Sequence, residues 1–113
     1  TAPTRLTVRK HIKGDMTAVA SRSHRNDATN DFLARHQIVN IRAAGSSLKF
    51  CLVAAGEADI YPRFGPTMEW DTAAGHAVLQ AAGGSVETPE GQPFLYGKPD
   101  FRNGHFIAWG TKP

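Results

Sequence analysis

The chain has 113 residues, a length that suits one domain with a modest core. Its composition, 41% hydrophobic and 20% charged, is that of an ordinary soluble globular protein, and its longest apolar stretch, Phe50 to Ala55, falls far short of the roughly 20 residues a membrane helix needs. A net charge of +3 favours anionic partners, but the basic residues are scattered without a Lys/Arg tract, which argues against a nucleic-acid polymer and for a small phosphorylated ligand.

Cys51 is the only cysteine, so neither an internal disulfide nor a cysteine zinc site is expected. It falls on the apolar face of a predicted helix and reads as a buried, inert thiol in a cytoplasmic setting. The N-terminus TAPTRLTVRK has no apolar core of a signal peptide and no starting Met, which is read as a chain processed or cut from something longer.

In chain order, Leu6-Thr7-Val8 and Thr17 to Ala20 are predicted strands, separated by a turn at Gly14-Asp15. Asp27 to Gln37 is a predicted helix capped by Asn26, with Phe32, Leu33 and His36 on one face. Ile38 to Ile41 is a short strand by its β-branched content. Gly45 to Gly56 is helical, opened by Ser46 or Ser47 and closed by Gly56. Asp59 to Arg63 is extended, and Pro62 suggests a sheet edge or a strand end. Asp71 to Ala82 is a helix rich in small residues, and Ser85 to Glu87 and Phe106 to Trp109 are late strands around a Pro/Gly-rich loop. This alternation argues α/β layering with a partly parallel sheet. In such sheets ligands gather where strand ends meet helix starts, and His24, Ser46 and Asp71 sit at such junctions.

Each candidate has two readings. Gly45-Ser46-Ser47-Leu48-Lys49 opens a helix whose free N–H groups suit an anion, with Lys49 adding a point charge; plain capping with a solvated lysine explains the same residues. Arg63, after Tyr61-Pro62, can fork onto phosphate oxygens or simply be a surface arginine. His24, between Arg22 and Arg25, can donate to a phosphate or be a solvated loop histidine. Asp71 by itself is most simply an N-cap, since a hard cation wants several oxygen ligands; Glu69 is expected to point elsewhere. His11, His36, His76 and His105 lack metal-like spacing, and Ser47 and Cys51 have no paired base in a recognisable local arrangement.

The run GPTMEWDTAAGHAVLQAAGG carries Trp-Asp-x-Ala-Ala-Gly, which resembles the C-terminal signature of the inositol monophosphatase superfamily, the Mg²⁺-dependent, Li⁺-sensitive phosphatases. SRSHRND, GSSLKFCLVAAGEADIYPRFGPTMEWDTAAGHAVL and YGKPDFRNGHF together resemble the branch of bacterial 3'(2'),5'-bisphosphate nucleotidases of the CysQ type, from about Thr17 to Trp109. The resemblance implies an α/β fold with a mixed sheet of about five strands flanked by helices, the C-terminal domain of that family's fold. It implies that Asp71 is a metal ligand, that His24, Ser46, Lys49 and Arg63 bind the substrate, and that Gly45, Ser47, Tyr61 and Thr67 line the pocket. It implies Mg²⁺ as cofactor and adenosine 3',5'-bisphosphate, a by-product of sulfate assimilation, as the nucleotide hydrolysed to AMP and phosphate.

The family's other metal ligands belong to a Glu and to an Asp-Pro-x-Asp-Gly-Thr motif, which this chain does not contain. Residues 1–113 therefore resemble the C-terminal half of a larger phosphatase without its N-terminal metal-binding half. That half, or a second chain, is an expected partner, and the isolated chain is expected to be weak or inactive. Two alternatives are a non-catalytic nucleotide- or sulfate-binding module and an inositol or sugar phosphatase of the same fold.

Overall fold

The computed structural model describes residues 6–10, 15–21, 26–45 and 48–111. In chain order these form β1 (Thr17–Ser21), α1 (Asp27–Arg35), β2 (Asn40–Ala44), α2 (Leu48–Ala54), β3 (Ile60–Arg63), β4 (Thr67–Met68), α3 (Glu69–Ala81), β5 (Ser85–Glu87), a 3₁₀ turn at Pro99–Phe101, β6 (Arg102–Asn103) and β7 (Phe106–Trp109). Five strands make one mixed sheet in the order β2-β1-β3-β7-β5, as expected, and β4 pairs with β6 in a separate ladder. β1 runs parallel to β2 and to β3, while β7 runs antiparallel to β3 and to β5.

Strand alternation sorts the core into two layers. Val19, Tyr61, Phe106 and Ala108 face Phe50 and Val53 of α2 and Leu79 of α3. Ala18, Ile60, Ile107 and Trp109 pack with Phe32 and Leu33 of α1 on the other side. Helices α2 and α3 approach so closely that a Cβ at Gly75 would lie 2.5 Å from Phe50 Cδ2, so the small residue in the Ala-Ala-Gly run is a packing requirement. Gly56, at φ +76°, stops the α2 segment in a conformation that an L side chain rarely adopts.

Several boundaries move. Residues 6–8 are not a strand; instead Val8 N–H donates to Ala82 O at 3.1 Å. Helix α1 ends at Arg35, because His36 is its C-cap and Gln37 turns out at φ 56°. The strand expected at Ile38 to Ile41 begins at Asn40: Val39 is 81% exposed, and the β-branched pair lies ahead of an edge strand whose own pattern is mostly exposed. Pro62 lies in the middle of the sheet, not at an edge. Its strand pairs β1 only at Ala18↔Ile60, so Pro62 is past that pairing and no ladder N–H is required of it there. Cys51 is half-buried, not buried. Among the described residues no helix is long and apolar enough to cross a membrane.

Candidate functional site

Because β1, β2 and β3 are parallel, their carboxyl ends open at one end of the sheet, where α/β proteins gather ligands. Residues leading away from β1 include His24, and those from β2 include Ser46 and Ser47; all three lie outside the described residues. Gly45 follows β2 and is exposed, with open space where a Cβ would be. Arg63 closes β3, and Asp71 lies in the first turn of α3 beyond it.

Lys49 is not the solvated lysine of the plainer reading. It sits on the buried side of α2, 2% exposed, with Nζ donating to Ala44 O at 3.3 Å and lying 5.3 Å from the Tyr61 ring centre. No ion pair among the described residues includes it. Burial lowers its pKa below the ordinary lysine value, and the positive charge of Arg63 adds to the depression. Arg63 is half-buried. Its Nη2 donates to Pro66 O at a long 3.4 Å, and its Nε is buried without a hydrogen-bond partner among the described residues.

Tyr61 is buried against Phe50 and Phe106, with ring centres 5.2 and 5.3 Å away. Burial pushes its phenol up to about 12, Arg63 opposes that shift, and the Asp71 carboxylate adds to it. Tyr61 therefore stays a neutral hydroxyl beside a guanidinium. Lys49, Tyr61, Arg63 and Asp71 thus share one electrostatic neighbourhood, three of them brought together from α2 and the two ends of the β3–α3 connection.

Asp71 is not the N-cap. Helix α3 starts at Glu69, two residues earlier, with Met68 as the cap. Asp71 is the third helical residue, and its Oδ2 accepts from Met68 N–H at 2.9 Å, the reciprocal half of a capping box. Thr67, half-buried on β4, accepts at Oγ1 from Asn103 Nδ2 at 2.9 Å. Glu69 does point elsewhere: it accepts from Gly97 N and Lys98 N at 3.0 and 3.1 Å and pairs with Lys98 Nζ at 2.7 Å. The Lys98 hydrogen bond holds its carboxyl below the usual range.

Two asparagines were not legible as site residues. Asn26 caps α1 through Oδ1, accepting from Thr29 N at 3.0 Å, and its Nδ2 also donates to Phe64 O, tying the start of α1 to the loop after β3. Asn103 gathers the residues around Asp71. The capping pattern gave the first half of Asn26's role; no local signal marks either tertiary bond.

Carboxylates are sparse here. Among the described residues no group of three or more His, Cys, Asp or Glu is placed to hold a metal ion, so these residues do not by themselves fit a Mg²⁺ site. What they do build is a pair of neighbouring cations, one deeply buried, with no carboxylate paired to either.

Comparison with known proteins bears on that geometry. Residues 2–111 match the profile of the Inositol monophosphatase family. The chain belongs to that family. It is 50% identical over 93 residues to the 3'(2'),5'-bisphosphate nucleotidase CysQ of Buchnera aphidicola, covering 80% of this chain and 35% of that protein. It is 54% identical over 81 residues to the Escherichia coli enzyme of the same name, covering 69% of this chain and 32% of that one. The fold superposes on the crystal structure of CysQ from Bacteroides thetaiotaomicron, a bacterial member of the family, with a TM-score of 0.80 at 44% identity, over 96% of this chain and 41% of that one. The chain thus spans about a third of the length of these curated nucleotidases. Family membership makes it a relative of phosphatases, and the mixed sheet with flanking helices is the family's architecture.

Proposed function

We propose that this chain is the substrate-phosphate half of a bisphosphate nucleotidase, the C-terminal domain of a larger phosphatase that removes phosphate from adenosine 3',5'-bisphosphate to leave AMP. The observation that carries the reading is Lys49, 2% exposed and with no carboxylate paired to it among the described residues, beside an Arg63 whose Nε is buried with no hydrogen-bond partner among them. A buried cation is costly unless something negative meets it. A phosphate group placed at the carboxyl ends of β2 and β3 meets both, with Arg63 giving planar donors and Lys49 a compact charge. The similarity to proteins named 3'(2'),5'-bisphosphate nucleotidase supports the choice of substrate class.

Within this reading the nucleotide binds through its phosphate to Lys49 and Arg63. Ser46 and His24 would complete the phosphate contacts, and Gly45, Ser47, Tyr61 and Thr67 the surrounding wall. Tyr61 contributes a neutral hydroxyl. Asp71, exposed on the first turn of α3, would give one oxygen ligand to Mg²⁺, whose remaining ligands come from outside the described residues. The chain alone is then a binder, and hydrolysis belongs to the assembly that completes the metal site.

The test is calorimetric titration of the chain with adenosine 3',5'-bisphosphate and with inositol 1-phosphate, followed by phosphate release in the presence of Mg²⁺. Saturable binding of the bisphosphate, lost in Lys49→Met, supports the reading. Equal binding by wild type and Lys49→Met refutes it, and preference for inositol phosphate moves the chain to another substrate class. Asp71→Asn separates the two roles of that residue, since the amide oxygen still accepts from Met68 N–H. A cap alone predicts an unchanged kcat in the active assembly; a metal ligand predicts a loss of orders of magnitude.

A further inference from the structure

We infer that Asn103 is the positioning residue of this site: it holds the turn that carries Asp71 at a fixed place relative to the Lys49–Arg63 anion site. The inference rests on the reading above for what Asp71 does there.

Asn103 lies on β6 and is 4% exposed. Its Nδ2 is 2.9 Å from Thr67 Oγ1, 3.0 Å from Met68 O and 3.1 Å from Thr72 Oγ1. Those three acceptors bracket Asp71 in sequence. Met68 O can only accept, so the amide nitrogen must face the turn, and Oδ1 faces away. Oδ1 is buried with no hydrogen-bond partner among the described residues. A residue chosen only to satisfy the interior would not leave half its amide unanswered there. The donor end is what the fold uses.

The clamp closes on the residue that the carboxylate itself grips. Met68 O accepts from Asn103, and Met68 N–H donates to Asp71 Oδ2 at 2.9 Å. Backbone pairing of Thr67 with Asn103 and Met68 with Arg102 fixes the same turn from the main chain. Glu69 draws the other side down, accepting from the backbone N–H groups of Gly97 and Lys98. The segment from Gly97 to Asn103 therefore wraps the first turn of α3. Within it Asp100 and Phe101, at φ 56° and 53°, hold left-handed conformations that side chains adopt only under constraint. Lys49 and Arg63 belong to other elements and touch none of these atoms in the bonds described, so the clamp sets the orientation of Asp71 without forming the anion site.

The experiment compares Asn103→Ala with Arg9→Ala, which removes one partner of Asp59 at the other end of β3 and lies outside the site. Amide exchange followed by NMR in this chain is the first readout. Asn103→Ala is expected to speed exchange at Met68 by about 10-fold or more, the worth of a lost buried hydrogen bond, while Val19 and Ile107 keep their protection. Unchanged protection at Met68, or equal loss at all three amides, overturns the inference. Thr72→Val, which deletes one acceptor and keeps the shape, gives the same local signature in smaller measure if Asn103→Ala does not fold. In the active phosphatase containing this chain, Asn103→Ala should lower kcat by about 10- to 100-fold at unchanged KM, as supporting residues do, and Arg9→Ala should lower Tm alone. A matched loss of kcat in both variants overturns the assignment. If the parent itself hydrolyses nothing, the phosphatase reading fails, and the exchange data still decide what Asn103 holds.

Discussion

The two ends of β3 each bury a charge, and they treat it in opposite ways. At the entry, Asp59 is 1% exposed and fully answered: Arg9 donates from Nε and Nη2 at 2.9 and 2.8 Å, and Thr17 N–H donates at 2.7 Å. At the exit, Lys49 is 2% exposed and, among the described residues, meets the Ala44 carbonyl and the face of Tyr61, with Arg63 repelling it. A charge with a bidentate partner and a backbone donor is part of the fold's structure. A charge whose nearest strong neighbour has the same sign is a place left for something negative. If the proposed function holds, the contrast is between a charge buried for structure and one buried for binding, at opposite ends of one strand.

Breaking the answered end should cost most. Asp59→Asn removes the anion that Arg9 and Thr17 N–H both serve. Loss of one partner of a buried pair costs about 3–5 kcal/mol, and the lower end applies because the Arg9 side chain is 41% exposed. Urea unfolding of the chain measures it. A change below about 1 kcal/mol, the worth of a surface pair, would remove the structural half of the contrast.

The unanswered end should respond in the reverse sense. Lys49→Met keeps length and apolar contact while deleting a buried cation without a counter-charge, so the chain should be as stable or more so. Phosphate affinity should fall by about 10- to 150-fold, the equivalent of a charged hydrogen bond worth about 1.5–3 kcal/mol. Melting curves and phosphate titration on the same samples check both signs. A marked loss of stability would show Lys49 to be structural after all.

A third substitution asks whether the two ends share one scaffold. In Gly75→Ala a Cβ would stand 2.5 Å from Phe50 Cδ2, and Phe50 is 2% exposed with little room to retreat. Overpacking of this kind costs about 1–3 kcal/mol and exceeds the roughly 1 kcal/mol that alanine gains in a helix interior. Because Phe50 neighbours Lys49 on α2 and Gly75 follows Asp71 by one turn on α3, phosphate binding should weaken together with the melting temperature. A stabilised Gly75→Ala chain would mean that the helices are not locked at this contact.

How much of this could be read from the chain follows from the range of each signal. Ser85 to Glu87 and Phe106 to Trp109 were visible because short apolar strands between turn residues have few other uses, and α1 because Asn26 and its buried pair Phe32-Leu33 agree. Strand β2 starts two residues and ends three residues later than the sequence suggests, because an edge strand with a mostly exposed face lacks a hydrophobic period, whereas Ile38-Val39 supplies a false one. Leu6 to Val8 imitated a strand for the same reason. Strands β4 and β6 have two residues each, too few for any period, so Asn103 could not be connected to Asp71. At the site, Lys49 and Arg63 were marked by motif, but residue type alone does not distinguish a buried lysine from a solvated one. That distinction needed the approach of α2 to Tyr61. His24, Ser46 and Ser47 lie outside the described residues, so their assignment rests on the resemblance.

The smallest expected effect concerns His76, on the outward side of α3. Its Nδ1 is 2.8 Å from Tyr96 Oη, and the Tyr96 hydroxyl donates onward to Thr72 Oγ1 at a long 3.4 Å. Burial holds the imidazole below its ordinary pKa of 6.5. The sign follows from proton counting. Between the lowered native value and 6.5 the unfolded chain binds more protons than the folded one, so stability falls as pH drops through this window. Below the native value both states are protonated and the loss is complete. Glu69, whose carboxyl is depressed by Lys98, has the same sign in a lower window: its stabilisation is fully present above the unfolded carboxylate range and is lost as pH falls through its lower native value. The His76 slope cannot exceed about 1.4 kcal/mol per pH unit, the limit for one proton. His76→Gln keeps a polar group beside Tyr96 and removes the titration, so the melting temperature should become flatter with pH just below 6.5 while phosphate affinity at Lys49 and Arg63 stays unchanged. Melting curves from acid to neutral pH measure the slope. The same slope in His76→Gln would assign the acid sensitivity to another group. A fall in phosphate affinity would instead show that the hydroxyl chain from Tyr96 through Thr72 to the first turn of α3 reaches the unanswered end of β3.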